Sequence, residues 1–389
     1  MLVRKYQKQV LEIAEQFPVI GILGPRQVGK TTLAKQIMKS DFKNCIYLDL
    51  EKPSDYEKLS DPEWYFASHR DKCIIIDEIQ TKPSLFKVLR SEVDEHKTPA
   101  RFIILGSASP DIVRESSESL AGRVSYIHMY PFTIDEIDEI DLRKLHFLGG
   151  FPDSILALTE KRAKNWLENF IKTYIERDLP LLGMPTSPIM TRRLWEMLAW
   201  QNGNLLNLSA IGNSLGITYH TVKNYMDFIE GSFMIQTLRP FSSNKKKSLV
   251  KSPKIYITDT GILHRLLKIP DYDSLLGMPV AGASFEAFIL QQLTANKPED
   301  TELFFYRTRG GSEIDFVITR AGKPIASVEV KFSTAPKITK GFRNGIKGLD
   351  TTKNFIVTPQ SEPYMKSENI MVCGISHFIQ QELPSLSES

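Results

Sequence analysis

VIGILGPRQVGKTTLAKQIMK, residues 19–39, sets a short apolar run directly before Gly24, then G-x-x-x-x-G-K-T, then a helical pattern with Leu33, Ile37 and Met38 on one side. A strand that turns through glycines into a helix predicts a phosphate-binding P-loop. The residue types suit that chemistry. Gly24 and Gly29 let the backbone N–H groups curl around phosphate oxygens, aided by the positive end of the following helix. Lys30 is placed to reach the β- and γ-phosphates of ATP, and the Thr31 hydroxyl to ligate Mg²⁺. The candidate cradle therefore runs through Gly24, Pro25, Arg26, Gln27, Val28, Gly29, Lys30, Thr31 and Thr32.

Downstream, KCIIIDEIQ supplies an apolar run without alternation, as a central parallel strand requires. Asp77 at its carboxyl end is the candidate Mg²⁺ ligand, partly through water, and Glu78 the group that polarises the attacking water. RFIILGSAS ends a further strand in small polar residues, and Ser107 is the candidate γ-phosphate sensor. More strands are expected in CIYLDL and VSYIHMY. Repeated strand–helix alternation predicts a parallel α/β sheet with its ligand at the strand carboxyl ends.

The whole chain sets outer bounds. Its 389 residues suffice for two or three cores. A net charge of +3 places any nucleic-acid argument on local clusters. Cys45, Cys73 and Cys373 lie in apolar runs without metal-ligand spacing and read as buried thiols. No run reaches the roughly 18 apolar residues of a membrane span, and the amphipathic start is unlike a signal peptide, so the expected setting is cytoplasmic with no membrane partner.

Taken together, GPRQVGKTT, IIIDEIQ, ILGSAS, SLAGRVSYIHMYPF, GGFP and YIERDL resemble the prokaryotic AAA+-type ATPases that carry a C-terminal domain of unknown function. The resemblance implies an AAA+ core of about five strands, a helical lid, and nucleotide bound between subunits of a homo-oligomer, as a closed hexamer or a looser assembly. Arg123 in LAGR and Arg177 in ERD are the candidate trans-acting fingers that would neutralise charge on the transferred phosphoryl group. The alternative for each is a structural salt bridge. Family sensors are commonly Asn or Thr, and Ser107 departs from that. The expected domains are the AAA+ core (1–148), a helical connector (149–205), a winged helix-turn-helix with a basic loop (206–252) and a nuclease-like domain (253–389).

In the middle region, KRAKNWLENFIKTYIERDL carries an apolar stripe at helical spacing, which reads as core packing. Residues 208–240 give a short helix with Ile211 and Leu215 inside, a turn at Gly216, a second helix burying Val222, Tyr225 and Ile229, and an extended FMIQTL. That is the pattern of a winged helix-turn-helix, with Tyr219, His220, Lys223, Asn224 and Asp227 facing outward. A lid or protein-contact module on the same fold remains an alternative. Between Gly231 and Thr258 stand Arg239, Lys245, Lys246, Lys247, Lys251 and Lys254 with no acid, a candidate contact for the DNA backbone.

The last region orders a helix carrying Glu286, a strand TELFFYRT, a strand SEIDFVI and a strand ASVEVKF. Alternation places Ile314, Phe316 and Ile318 on one face with Asp315 on the other, and Glu329 with Lys331 opposite Val328, Val330 and Phe332. Asp315 followed by Glu329-x-Lys331 resembles the D…E-x-K arrangement of restriction-endonuclease-like folds, Glu286 fitting the extra acid of their first helix. Such a set would bind Mg²⁺ through Glu286, Asp315 and Glu329, with Lys331 holding the nucleophile. Two alternatives stay open: a hairpin with one wet face, or a binding platform that does not cut. The resulting expectation is an ATP-hydrolysing protein acting on DNA. Its alternative is a nucleotide-dependent switch acting on a protein partner.

Overall fold

The computed structural model describes residues 2–42, 44–107, 119–137, 141–181, 183–242 and 250–388. Lys245, Lys246 and Lys247 lie outside the described residues. The chain divides into two compact units, Met1–Pro131 with Asp227–Phe233, and Phe132–Met226 with Met234–Ser389.

The first unit is built on a parallel sheet of β1 (Val19–Leu23), β2 (Cys45–Asp49), β3 (Cys73–Asp77), β4 (Phe102–Gly106) and β5 (Val124–His128), in the order β2-β3-β4-β1-β5. β4 thus lies between the P-loop strand and the strand that ends in Asp77. The near-continuous apolar sequence of β1, β3 and β4 follows from burial on both faces. Ile74, Ile76, Phe102 and Ile104 fill one core with α3 (Leu85–Glu95) through Leu85, Phe86, Leu89 and Val93. Ile20, Ile22, Ile75 and Ile103 fill the other, with α1 (Tyr6–Ala14) and α2 (Lys30–Ser40) through Val10, Leu33 and Ile37. Neighbouring residues of one strand serve opposite layers, the two-residue period of a strand. The thiols of Cys45 and Cys73, opposite each other on β2 and β3, are free and half-buried, less buried than expected, while Cys373 is buried.

In the second unit, α4 (Leu142–Leu148), α5 (Glu160–Thr173) and α6 (Pro188–Trp200) precede a helix pair and a hairpin. The pair is α7 (Leu208–Leu215) and α8 (Tyr219–Gly231), whose end from Asp227 on is counted in the first unit, joined through Gly216 at φ 69°, a left-handed turn that glycine adopts without a Cβ penalty. β6 (Ile235–Leu238) then pairs antiparallel with β7 (Lys254–Ile257). The expected boundary at 252/253 therefore falls inside a hairpin, and Lys254 stands in a strand rather than in a basic loop.

The remaining sheet has six strands in the order β12-β13-β11-β10-β9-β8. They are β8 (Thr301–Arg307), β9 (Glu313–Arg320), β10 (Lys323–Val330), β11 (Lys353–Thr358), β12 (Tyr364–Ser367) and β13 (Ile370–Gly374). β8, β9 and β10 form an antiparallel meander, and β11 joins β10 parallel after α10 (Lys340–Leu349). The helix α9 (Ala281–Asn296) buries Phe285, Phe288 and Leu293 against Phe316, Ile318 and Val328 on one face. On the other, Phe342 and Ile346 of α10 meet Ile314, Val317 and Ile356.

The sheet is therefore covered on both sides, and the alternative of one wet face does not hold. Alternation also fails at one point. Ile314 turns to the α10 side while Phe316 and Ile318 face α9, because the β8–β9 register shifts between Phe304 and Tyr306. A bulge supplies the extra residue, and bulges re-aim side chains in this way.

Candidate functional site

Four elements of the first unit end at one edge of its sheet: β1 runs into the P-loop, β3 ends in Asp77, Ser107 follows β4, and α2 begins at Lys30. A parallel sheet makes this convergence automatic, since all the strand carboxyl ends lie together. Gly24 cannot carry a side chain, because a Cβ there would stand 2.3 Å from the Met129 carbonyl oxygen. Gly29 has φ 101°, the left-handed turn that aims the first N–H groups of α2 into the loop. The Lys30 ammonium is buried and donates to the carbonyls of Gly24 and Pro25, both at 2.9 Å. Burial pushes its pKa down to about 8, against the pull of Glu78 and Asp77.

Thr31 Oγ1 donates to Asp77 Oδ2 at 2.6 Å, and the Tyr47 hydroxyl donates to the same oxygen at 2.5 Å. A hydroxyl and a carboxylate in contact at a helix N-terminus are the hard oxygen donors Mg²⁺ takes, so the residues present fit the ion. Glu78 sits in left-handed backbone, φ 56° and ψ 47°, which turns its carboxylate aside from the strand. Burial raises its pKa. Gln80 Nε2 donates both to the Glu78 carboxylate and, at 2.9 Å, to Ser107 Oγ.

Sequence reading missed three contributors here. Tyr47 reaches Asp77 from the middle of the neighbouring strand, and Gln80 links Glu78 to Ser107. The Arg4 guanidinium donates to the Val28 carbonyl in the P-loop at 3.0 Å and to that of Tyr130 at 2.6 Å. DEIQ carries Gln80 in plain view, but its role needs β4 beside β3. Of the other candidates, Thr32 is exposed on α2 and Arg26 lies 4.0 Å from Glu51. Arg123 holds Asp94 through Nε at 2.6 Å and Nη2 at 2.8 Å. It directly precedes β5, at the sheet edge opposite its own P-loop. Arg177 is exposed in the π-helical segment Tyr174–Asp178.

The second unit brings together the other charged set. Asp315 Oδ2 accepts the Val330 N–H at 2.8 Å, and Lys331 Nζ donates to Glu329 Oε1 at 2.7 Å. Glu286 Oε1 accepts from Lys254 Nζ at 2.9 Å and from the Tyr256 hydroxyl at 2.5 Å. The same ammonium stands 3.6 Å from Glu313 and 3.7 Å from Asp315. Burial and the Asp315 charge push both Glu286 and Glu329 up to about 7.

The expected carboxylates do cluster, but among the described residues no group of three or more His, Cys, Asp or Glu converges as a metal site. The cation the acids surround here is Lys254, whose side chain is only 4% exposed. The alternation of Lys254 and Tyr256 with Ile255 and Ile257 was the available signal, because it puts both polar groups on one face of β7.

Residues 16–138 match the AAA domain family, residues 139–273 a domain of unknown function (DUF8612), and residues 281–378 a domain of unknown function (DUF4143). Two curated relatives, the uncharacterized proteins Rv2008c of Mycobacterium tuberculosis and Mb2031c of Mycobacterium bovis, are each 38% identical over 354 residues, 91% of this chain and 79% of theirs. An uncharacterized protein of Haemophilus influenzae is 22% identical, over 97% of this chain and 98% of its own. Among solved structures, the Walker-type ATPase PABY2304 of Pyrococcus abyssi overlays 69% of this chain and 96% of its own, at 16% identity and a TM-score of 0.47. AMPPCP-bound DnaA of Aquifex aeolicus overlays 59% of this chain and 89% of its own, at 12% identity and a TM-score of 0.29. Among the described residues no helix is long and apolar enough to cross a membrane. With its P-loop, Asp77 and Glu78 at one sheet edge, the chain belongs to the family of those mycobacterial proteins, a P-loop AAA-type ATPase domain followed by a C-terminal DUF4143 domain.

Proposed function

We propose that the protein hydrolyses ATP with Mg²⁺ and couples that cycle to DNA, which it holds through a winged helix and a restriction-endonuclease-like last domain. The outward row of α8 carries this reading. Tyr219, His220, Lys223, Asn224 and Asp227 are all exposed, while Val222, Tyr225 and Ile229 are buried. A second helix with a polar outer face, followed by a two-stranded hairpin, suits entry into a major groove. The order α9, β8–β9–β10, α10, β11 supports the nuclease-like fold, and the residues before α7 would form the lid.

In the nucleotide site, the α2 N–H groups and Lys30 would bind the phosphates, Thr31 and Asp77 would hold Mg²⁺, and Glu78 would take a proton from water. The ion would supply charge neutralisation on the phosphate oxygens. Arg123 lies too far along the sheet to serve its own pocket, which supports use by a neighbouring subunit. Mixing Lys30→Ala and Arg123→Ala proteins should then restore part of the ATPase activity that each lacks alone, read as steady-state phosphate release. No recovery in confirmed mixed oligomers would assign Arg123 to the Asp94 pair alone.

A second reading has its own observation. With Lys254 among the carboxylates, the last domain is charge-compensated without a metal, which favours a platform that binds without cutting. Duplex, single-stranded and branched DNA titrated into the ATPase assay test the main reading, with strand scission followed in Mn²⁺ and Mg²⁺. Stimulation by DNA is expected. Cleavage, if present, should vanish in Asp315→Ala and Glu329→Ala, each of which removes a hard oxygen ligand. An ATPase indifferent to every DNA would shift the function to a protein-directed switch.

A further inference from the structure

A cavity of about 250 Å³ opens in the second unit, remote in sequence from the P-loop. Tyr272, Phe285, Phe332 and Leu142 give it apolar and largely aromatic walls, and Arg143 and His146 of α4 supply charge and polarity. His146 is 1% exposed and lines the cavity, and its bonding settles which ring nitrogen is left as an acceptor.

The chain of hydrogen bonds starts at a carbonyl. The Phe147 oxygen can only accept, so His264 Nδ1, 2.8 Å away, carries the proton. Burial holds the His264 pKa down to about 4, so the ring is neutral and its Nε2 is a bare acceptor. Ser284 Oγ, 2.7 Å from that nitrogen, must donate to it. The same oxygen then accepts from His146 Nε2 at 2.9 Å. His146 is thereby fixed as the Nε2–H tautomer, and among the described residues nothing bonds its Nδ1 lone pair. An acceptor left open in the wall of a largely apolar cavity is a place for a ligand's donor to meet.

We infer that this cavity is a binding site for a small planar aromatic ligand bearing one O–H or N–H donor for His146 Nδ1 and one anionic group for Arg143. Arg143 lies one helical turn before His146, is exposed, and has no ion-pair partner among the described residues. The volume admits one substituted ring rather than a nucleotide, and the aromatic walls of Tyr272, Phe285 and Phe332 suit a flat aromatic ligand. The site is independent of the DNA reading.

The probes are 3- and 4-hydroxybenzoate, titrated into the full-length protein and followed by ligand-observed NMR and calorimetry. At least one should bind saturably. Its methyl ether, which keeps ring and carboxylate but lacks the donor, should bind about tenfold more weakly, a difference of about 1.4 kcal/mol. Arg143→Ala should cost a similar factor with the circular dichroism spectrum unchanged. The ether comparison leaves the histidine network intact, so loss of folding cannot mimic the result. Absence of saturable binding by both hydroxybenzoates, equal binding of acid and ether, or an Arg143→Ala protein that binds as well as the parent would each overturn the assignment.

Discussion

Glu78→Gln should retain ATP yet turn it over about 10²–10³-fold more slowly, the scale of a lost general base. The amide keeps the shape of the carboxylate, and Gln80 still has an oxygen to bond, so the pocket stays formed while the proton acceptor is gone. Lys30→Ala should act at the earlier step, weakening nucleotide binding by about 10–100-fold, since a buried charge-assisted contact to phosphate contributes about 1.5–3 kcal/mol. A fluorescent nucleotide titration beside an ATPase assay separates the two effects. Normal turnover by both variants would remove the hydrolytic assignment altogether.

Lys254→Met should be the most destabilising single change in the second unit. Three carboxylates, those of Glu286, Glu313 and Asp315, stand around a nearly inaccessible ammonium, and withdrawing it leaves them facing one another in a poorly hydrated space. Removing one partner of a buried ionic set costs about 3–5 kcal/mol. Combining Lys254→Met with Glu286→Gln should recover part of that loss, because one of the opposed charges goes with it. Urea unfolding of the parent, both single variants and the pair gives the coupling directly. The methionine protein should also bind Mn²⁺ more tightly than the parent, the carboxylates having lost their resident cation. Parental stability in Lys254→Met would mean that water, not the lysine, balances the acids.

The meeting of the P-loop, Asp77 and Glu78 at one sheet edge was legible because it depends on neighbours in sequence: a strand, a loop, a helix start. The parallel sheet followed from apolar runs that serve two layers at once. Lys254 was misread for the opposite reason. Its local company is basic and polar, and only the fold, which brings α9 beside β7, shows that it meets Glu286. Gln80 and Tyr47 act across strands that no local pattern places side by side. Ile314 misled because period-two reasoning assumes an unbroken ladder, and the β8–β9 shift breaks it.

That bulge constrains how the chain can change through descent. Ile314 and Phe316 are two apart and fill opposite layers, so the count of residues between them sets which layer each later side chain enters. Substitution along β9 changes one position at a time. Loss of the Asp315 codon, the one between Ile314 and Phe316, would restore plain alternation but remove the carboxylate that accepts the Val330 N–H, and loss of a neighbouring codon would rotate one end of the strand by a face. Gains and losses of length should therefore collect in the turn at 321–322, and gene libraries made by random deletion should show a sharp gap across residues 313–317.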